Sequence, residues 1–257
     1  MNISKIEEYI LQGGKALPKI IFYEDTDSTN TRAREYANEN LTENRSPVVF
    51  LAKRQSAGRG RRGRSFSSLS GGIYMSILTY PDADFNPTEI TAYAAVALSR
   101  AIKKISGVEA CIKWVNDLYI GGKKLAGILC EGEFDEKGKI LYSVCGMGIN
   151  VYKNELPEEI SNIATSLEAE GVRTDINSLS AEIIVEFLEG WKGAASKENL
   201  DEYKARSIVL GREITVIRPN ESYAATAVDI LDDYSLLVRL PSGVCERVFT
   251  GEVSTKI

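Results

Sequence analysis

The chain has 257 residues, 44% of them hydrophobic and 26% charged, with a formal net charge of −5 at pH 7. This composition is typical of an ordinary globular protein, and the acidic balance argues against general nucleic-acid binding. The chain contains no histidine, which excludes Ser-His-Asp and Cys-His nucleophilic machinery and the usual zinc sites.

The N-terminal stretch predicts a short amphipathic helix over residues 4–12 and has no features of a targeting segment. It carries acidic residues, and it lacks both the apolar segment of a signal peptide and the arginine-rich character of a transit peptide. No apolar run approaches the ~20 residues that a membrane-spanning helix needs. We therefore expect a cytoplasmic protein without membrane contact.

The next region reads as three strands and two helices. Apolar runs predict strands over residues 19–23, 47–53 and 71–80. Residues 27–30, Asp-Ser-Thr-Asn, favour the start of a helix; they could also offer hydroxyls and free amides to a polar ligand, and both interpretations stay open. Pro87 and the apolar spacing after it predict a long buried helix over residues 87–106.

The second half predicts hairpins, two helices and then short strands. We expect a strand over 109–114, a hairpin of 118–120 with 123–130, a hairpin of 125–134 with 140–151, and helices over 178–191 and 198–207. After Ser207, short strands broken by Pro, Asn, Asp and Gly turns predict a small barrel-like β-domain. Without a strict strand–helix–strand alternation, the body before it favours an α+β fold.

Four cysteines are scattered through the predicted strands. Cys111, Cys130, Cys145 and Cys245 form no C-x-x-C pair. We expect buried free thiols rather than disulfides or zinc ligands.

Residues 53–68, KRQSAGRGRRGRSFSS, join two predicted strands and carry four arginines and three glycines within positions 58–64. Arginine resists burial and glycine gives up backbone order, so this segment suits a mobile loop that closes over a polyanion. Its G-x-G-x-x-G match is not a dinucleotide fingerprint, because arginines fill the interior positions and a strand follows instead of a helix. The segment is not a Walker A loop, because it lacks the G-K-[ST] ending of that motif. A nucleic-acid-binding patch would not explain the glycines between the arginines. We therefore favour a loop that neutralises the phosphates of ATP.

A second constellation lies on either side of the Gly121-Gly122 turn. Lys113-Trp-Val-Asn-Asp117 precedes the turn and Lys123-Lys-Leu-Ala-Gly127 follows it, so a hairpin would bring the two segments together. Lysine suits a phosphate or carboxylate, and Asn116-Asp117 could contact a metal or nucleotide. Taken singly, Asp117 could equally be a turn residue and the lysines a solvated face. Glycines in Gly146-Met-Gly148 are typical of a strand that a ligand approaches closely.

These motifs occur together in one order: 28–30 (STN), 55–64 (QSAGRGRRGR), 113–119 (KWVNDLY), 124–128 (KLAGI) and 146–150 (GMGIN). In motifs, order and spacing the chain closely resembles biotin–protein ligases (biotin–[acetyl-CoA-carboxylase] ligases), from about residue 20 to Gly251–Ser254. The resemblance implies an α+β catalytic domain of class II synthetase type over residues 1–207, with a central mixed or antiparallel sheet and flanking helices. A small SH3-like β-barrel would follow over 208–257.

The resemblance also implies an activity. The enzyme would use ATP and Mg²⁺ to convert biotin to biotinyl-5′-AMP and would pass biotin to a lysine of a biotin carboxyl carrier protein. A homodimer is a further expectation from the family. Some members carry a DNA-binding helix-turn-helix, but only 18 residues precede Lys19, so we expect the short form without a DNA partner. A lipoate–protein ligase, a non-enzymatic biotin-binding protein and a nucleic-acid-binding protein remain as alternatives.

The residues that the resemblance assigns fall into three sets. Those expected to bind biotin are Ser28, Thr29, Asn30, Gln55, Gly58, Arg59, Gly60, Arg61 and Lys124. Those expected to bind ATP are Arg59, Arg61, Arg62, Arg64, Phe66, Lys113, Trp114, Asn116, Asp117 and Asn150. Lys124, Arg59, Arg61 and Asp117 would be catalytic, and Asp117 would be the metal ligand. The chain departs from the family's usual pattern at Val115, where proline is common, and at Phe66, where tryptophan is common.

Overall fold

The computed structural model describes residues 1–40, 45–68, 70–81, 86–153, 158–219 and 221–254. The helices in these ranges are α1 (Ile3–Gln12), α2 (Thr29–Glu39), α3 (Pro87–Ser106), α4 (Glu158–Ser161), α5 (Ile176–Gly190) and α6 (Lys197–Ala205). The strands are β1 (Lys19–Thr26), β2 (Val48–Gln55), β3 (Gly72–Thr79), β4 (Cys111–Lys113), β5 (Asp117–Ile120), β6 (Lys123–Phe134), β7 (Ile140–Asn150), β8 (Glu213–Ile217), β9 (Ser222–Ile230), β10 (Leu236–Arg239), β11 (Cys245–Val248) and β12 (Glu252–Ser254). Short 3₁₀ turns lie at Arg61–Gly63 and Trp191–Gly193.

A seven-stranded sheet forms the body of the molecule, in the order β1-β2-β3-β7-β6-β5-β4. Strand β1 is parallel to β2, and the other neighbours are antiparallel. Helix α2 packs against β2, β3 and β7 and covers a small apolar cluster around Phe50 and Tyr142. The main core, which contains α3 and α5, packs against the sheet through other residues of β3, β6 and β7. The predicted mixed sheet with flanking helices is confirmed.

Helix α3 has the bounds that the sequence predicts, because its start and stop signals are strong. The Asn86 side chain accepts from the Thr88 amide at 2.9 Å, and Pro87 occupies the first turn. Gly107 ends the helix at φ 75°, a left-handed conformation that glycine adopts without strain. Twelve of its residues are buried, so this helix carries much of the main core.

The hairpin of β5 and β6 brings the two lysine-containing segments together. Gly121 and Gly122 have φ values of 58° and 78°, the pair of positive angles that a two-residue type I′ turn requires. The register then places Asp117 opposite Gly127 and Tyr119 opposite Lys124. The predicted hairpin is confirmed, and it positions Lys124 beside Asp117.

The strands after Glu213 form a second, five-stranded antiparallel sheet in the order β11-β10-β9-β8-β12. This is the small β-domain that the sequence predicts. Its apolar side continues the main core, and Trp114 Nε1 donates to the Tyr234 carbonyl at 2.9 Å. The boundary between residues 207 and 208 stays a prediction.

Three local expectations differ from the structure. The strand predicted over 109–114 spans only Cys111–Lys113. One helical turn, α4, lies within residues 155–175, for which the sequence pattern indicates mixed loops and turns. Cys145 is buried and Cys130 half-buried, but Cys111 and Cys245 are exposed. The prediction of buried thiols is wrong for these two because both lie on edge strands, where alternation turns every second side chain to solvent. Within the described ranges, no helix is long and apolar enough to cross a membrane.

Candidate active site

A cavity of about 540 Å³ opens on the side of the large sheet where α2 begins. Nearly all of the predicted site residues line it, and the exceptions are Gly58 and Arg62. Lining residues that were not assigned to the site include Met75 of β3, Tyr119 of β5, residues within 160–164 and Glu252–Ser254 of β12. One cavity therefore brings together segments that lie far apart in the sequence.

One end of the cavity is built from hydroxyls and amides at the start of α2. The Thr29 amide donates to Gln55 Oε1 at 2.8 Å, and Gln55 Nε2 donates to Ser68 Oγ at 2.8 Å. Ser68 Oγ in turn donates to the Phe66 carbonyl at 3.0 Å. Ser28 is the N-cap of α2 but its side chain makes no capping hydrogen bond, and Gln55 accepts from the Thr29 amide instead. Contact of this helix start with a polar ligand stays a prediction.

The Asn30 side chain lies across the large sheet above Gly146. Gly146 pairs with Ser76 on β3 and with Leu129 on β6, so these three positions form one row across the sheet. Asn30 Oδ1 is 2.6 Å from Ser76 Oγ, while Asn30 Nδ2 donates to Glu131 at 2.9 Å and to the Leu129 carbonyl at 3.3 Å. A Cβ at position 146 would lie 2.1 Å from Asn30 Oδ1. The glycine is therefore required by the chain's own asparagine.

The arginine-rich segment within residues 53–68, called the arginine loop from here on, is closed on itself and docked against both sheets. The Phe66 amide donates to the Gly58 carbonyl at 2.8 Å, and the Gly60 amide donates to the Arg64 carbonyl at 2.7 Å. Three ring atoms of Phe66 lie within 3.0 Å of where a Cβ of Gly148 would stand. The structure describes this docked conformation, and the loop's mobility without ligand stays a prediction.

Each arginine of the loop has a partner. Arg59 pairs with Glu131 at 2.7 Å, and Arg64 pairs with Glu252 at 2.7 Å. Arg61 donates to Asn116 Oδ1 at 3.2 Å and to the Gly251 carbonyl at 3.3 Å, and Arg62 donates to the Ile217 carbonyl at 3.1 Å. Arg59 is thus held at the hydroxyl end of the cavity, while the other three reach the second sheet.

The other end of the cavity concentrates positive charge. Lys124 Nζ lies 2.8 Å from Asp117 Oδ1, a close charge contact whose geometry is not that of a hydrogen bond, since this oxygen has no hydrogen-bond partner among the described residues. Burial lowers the pKa of Arg61 and of Lys113, and the nearby Lys124 contributes to the lowering at Lys113. Burial also raises the pKa of Tyr119 to about 12. The hydroxyl that Lys113 Nζ contacts at 3.4 Å is therefore neutral at pH 7, and this end of the site favours an anion.

Within the described ranges, no group of three or more Cys, Asp or Glu side chains is placed to hold a metal ion. The assignment of Asp117 as a metal ligand stays a prediction. Asp117, the predicted ligand, already faces Lys124. A Mg²⁺ ion bound mainly by nucleotide phosphates needs few protein ligands. Such an ion would enter the site as part of the Mg·ATP substrate.

Two further residues complete the hydroxyl end and were not predicted. Ser76 is fully buried, and Glu131 contacts both Asn30 and Arg59. The strand GIYMSILT contains two small hydroxyl residues, Ser76 and Thr79, so a hydroxyl in this apolar strand is a signal that does not single out Ser76. Glu131 gives no such signal, because a single acidic residue in a strand is ordinary.

Known proteins of one family resemble this chain over most of its length. The model of the biotin/lipoate A/B protein ligase family matches residues 22–150. The bifunctional ligase/repressor BirA of Bacillus subtilis is 30% identical over 244 residues, which cover 91% of this chain and 73% of the relative. The biotin–[acetyl-CoA-carboxylase] ligase of Mycobacterium tuberculosis is 31% identical over 218 residues, which cover 80% and 78%.

Solved structures agree with the sequence comparisons. The biotin protein ligase from Aquifex aeolicus in complex with biotin and ATP superposes with a TM-score of 0.78 at 28% identity. The superposition covers 93% of this chain and 98% of that one. The similarity thus extends over both sheets.

Proposed function

Since the chain belongs to the biotin/lipoate A/B protein ligase family, we propose that it is a biotin–[acetyl-CoA-carboxylase] ligase. It activates biotin with ATP to form biotinyl-5′-AMP and transfers biotin to a lysine of a carrier protein. The observation that carries this proposal is the two-ended cavity, with hydroxyls and amides at one end and cations at the other. Biotin has matching ends, a polar ring system and a carboxylate that must meet the ATP phosphates.

The first step joins two anions. A biotin carboxylate oxygen attacks the α-phosphorus of Mg·ATP, the bond from that phosphorus to the bridging oxygen breaks, and pyrophosphate leaves. We place Lys124 between the carboxylate and the α-phosphate, with Arg59 and Arg61 from the loop above them. Positioned cations offset the repulsion between the reactants and stabilise the leaving group. The reaction needs no histidine, because the carboxylate is already ionised at pH 7.

The second step transfers the acyl group. The acceptor lysine amine attacks the carbonyl carbon of the mixed anhydride, AMP leaves with the bridging oxygen, and the amine loses a proton as the amide forms. We assign Asp117 to assist that deprotonation, since it is the carboxylate nearest Lys124. The closed loop shields the anhydride from water.

The remaining site assignments are proposals of the same kind. At the biotin end we assign Ser28, Thr29, Asn30, Gln55, Gly58 and Gly60. At the nucleotide end we assign Arg62, Arg64, Phe66, Lys113, Trp114, Asn116 and Asn150. Most of them line the cavity, which supports the assignment, whereas Gly58 and Arg62 support it only through the loop's conformation.

The proposed acceptor is a biotin carboxyl carrier domain, and residues 1–207 and 208–257 are the proposed catalytic and C-terminal domains. A homodimer, the lack of a DNA partner and a cytoplasmic location stay predictions.

Mass spectrometry of a biotin carrier domain tests the function directly. The domain is incubated with the protein, Mg·ATP and biotin, and we expect one biotin adduct on one lysine. Parallel reactions omit ATP or replace biotin with lipoate. An adduct with lipoate but none with biotin would favour the lipoate ligase, and no adduct with either acid would contradict the proposal.

A further inference from the structure

A chain of hydrogen bonds links the start of α2 to a carboxylate on β6. It runs from Thr29 through Ser76 and Asn30 to Glu131, with distances of 2.7 Å, 2.6 Å and 2.9 Å between successive polar atoms. Ser76 is 0% exposed, and Thr29 and Asn30 are buried. Each of the two hydroxyls has a single proton, so the direction of every bond in this chain can be worked out.

The direction is set at the Glu131 end. A carboxylate that forms an ion pair only accepts hydrogen bonds, and Glu131 pairs with the Arg59 guanidinium at 2.7 Å. Asn30 must therefore turn its amide nitrogen toward Glu131, an orientation that the Leu129 carbonyl also favours at 3.3 Å. The amide oxygen of Asn30 then faces Ser76.

The protons of the two hydroxyls follow from that orientation. Ser76 must donate to Asn30 Oδ1, since two acceptors at 2.6 Å would repel each other. Ser76 has no second proton, so the 2.7 Å contact with Thr29 requires Thr29 to donate. The alternative acceptor for Thr29, Gln55 Oε1, is farther away at 3.2 Å and already receives the Thr29 amide.

The result at the cavity is a hydroxyl whose proton is committed. Thr29 lines the cavity, and its oxygen keeps lone pairs but no proton for a ligand. We propose that Glu131 and Ser76 are positioning residues that make Thr29 Oγ1 a hydrogen-bond acceptor only, so that this end of the site selects a ligand with an N–H donor. The inference rests on the proposed function, in which the donor is a ureido N–H of biotin.

Glu131 has a second contact that separates its role from that of Ser76. It lies 23% exposed between Arg59 and Arg34, and Arg59 belongs to the loop. A change at Glu131 therefore alters both the hydrogen-bond direction and the loop, whereas a change at Ser76 alters only the direction. Agreement between the two variants isolates the shared effect.

The test compares biotin with biotin methylated on one ureido nitrogen, using both isomers. Calorimetric Kd values are measured for the wild-type protein and for Ser76→Ala. We expect Ser76→Ala to bind biotin about tenfold more weakly, the usual scale for losing one buried hydrogen bond. We also expect the methylation penalty, the ratio of the two Kd values, to fall about tenfold for one isomer, because without Ser76 the Thr29 hydroxyl is free to rotate and the contact that only an N–H donor can make is weakened. The matched control is Ser143→Ala, a buried serine of the same sheet without a hydrogen-bond partner among the described residues.

Glu131→Gln provides a second variant at a less buried position, with Glu133→Gln on the same strand as its control. We expect a smaller fall of the methylation penalty in Glu131→Gln, whose amide can turn either its oxygen or its nitrogen to Asn30, and the wild-type value in both controls. A purely structural role would weaken both ligands equally, so an unchanged penalty in Ser76→Ala overturns the inference. Failure of the wild-type protein to bind biotin would instead contradict the proposed function itself.

Discussion

At the cationic end of the cavity, the same side chains are expected to lower the stability of the fold and to favour binding of an anion. Arg61 and Lys113 are half-buried charged side chains, and burial lowers the pKa of both. Among the described residues that line the cavity, Asp117 and Glu252 are the acidic ones, each already paired with a cation. The side chains that line the cavity therefore carry an excess of positive charge, which a polyanionic ligand would neutralise.

Lys124 is expected to act in the chemical step. Lys124→Ala should lower the rate of biotin-dependent ATP–pyrophosphate exchange by about 10²–10³-fold, the scale for losing one preorganised charge at a developing anion. The control is Lys123→Ala, the neighbouring lysine, which does not line the cavity. Equal loss in both variants would mean that hairpin stability, rather than the Lys124 ammonium, explains the effect.

Lys113 is expected to lower the stability of the empty protein. Replacing it with methionine removes a partly buried charge but keeps its apolar stem, so Lys113→Met should raise Tm by a few degrees, on the scale of about 1 kcal/mol for a domain of this size. The same variant should have a higher KM for ATP in the exchange assay. A lower Tm would contradict a desolvation penalty at this position.

The stability difference between Lys113→Met and the wild-type protein should depend on pH. Because burial lowers the pKa of Lys113 below its ordinary value of 10.5, the folded protein binds fewer protons there than the unfolded chain. The penalty is complete below the folded-state pKa and disappears as pH rises from that value toward 10.5. Thermal unfolding of both proteins at pH 7–10.5 should therefore show the gap in Tm closing, and a constant gap would contradict this origin.

Residue by residue, the sequence predicts best which residues line the cavity where one kind of side chain recurs within a motif. Arginines, lysines and the Ser-Thr-Asn segment fall in recognisable groups, and most of them line one cavity. Ser76 and Glu131 escape prediction because each is one residue in an ordinary strand. Their role depends on the row of Ser76, Gly146 and Leu129 across three strands, which no local pattern specifies.

At the scale of elements, the arginine loop depends on close backbone packing at its base. A Cβ at Gly58 would lie 2.4 Å from the Phe66 carbonyl and 2.4 Å from Ser68 Oγ. The first of these atoms is backbone, so relief requires the two arms of the loop to move apart. The glycine therefore allows the loop to close, in addition to any freedom that it gives the open form.

Gly58→Ala is expected to hold the loop open. Because the segment carries four arginines, limited trypsin digestion reports directly on its accessibility. We expect faster cleavage within 59–64 in the variant, and less protection by biotin with ATP than in the wild-type protein. Gly193→Ala, where a Cβ meets nothing within 4 Å, is the control, and equal cleavage rates in Gly58→Ala and wild type would contradict the proposal.

Elements with strong end signals are predicted well, and short edge elements are not. Helix α3 agrees with its predicted bounds because proline, asparagine and glycine mark its ends. Strand β4 is shorter than predicted because only Cys111–Lys113 pair with β5 and the chain turns at 114–116. Apolar content alone does not determine where pairing stops.

At the scale of the whole molecule, the two sheets share one core. Residues of the large sheet, such as Ile112 and Leu118, belong to the same buried cluster as Ile214 and Leu236 of the small sheet. Tyr203 and Tyr234 pack edge to face at 5.5 Å between ring centroids. The change to short strands after Ser207 therefore does not coincide with a break in the hydrophobic core. Composition alone could not predict that the two sheets share this core.

Trp114→Phe tests whether the two sheets unfold together. The variant loses the hydrogen bond to the Tyr234 carbonyl and leaves a small void, which should lower the free energy of unfolding by about 2 kcal/mol. We expect urea unfolding, followed by far-UV circular dichroism, to remain one transition at a lower midpoint with an unchanged slope. Two separate transitions in the wild-type protein would mean that the small sheet folds independently.

The docking of the arginine loop on the second sheet has a consequence for how the protein is made. Arg61 donates to the Gly251 carbonyl, 190 residues later in the chain, and Arg64 pairs with Glu252. At a synthesis rate of ~5–20 residues per second, these partners leave the ribosome roughly 10–40 s after the loop does. During that interval a nascent chain contains the hydroxyl end of the cavity, the central strands and the loop arginines. It still lacks the second sheet, on which the loop rests. Competence to close the site therefore arrives late in translation, after strand β12 has joined β8.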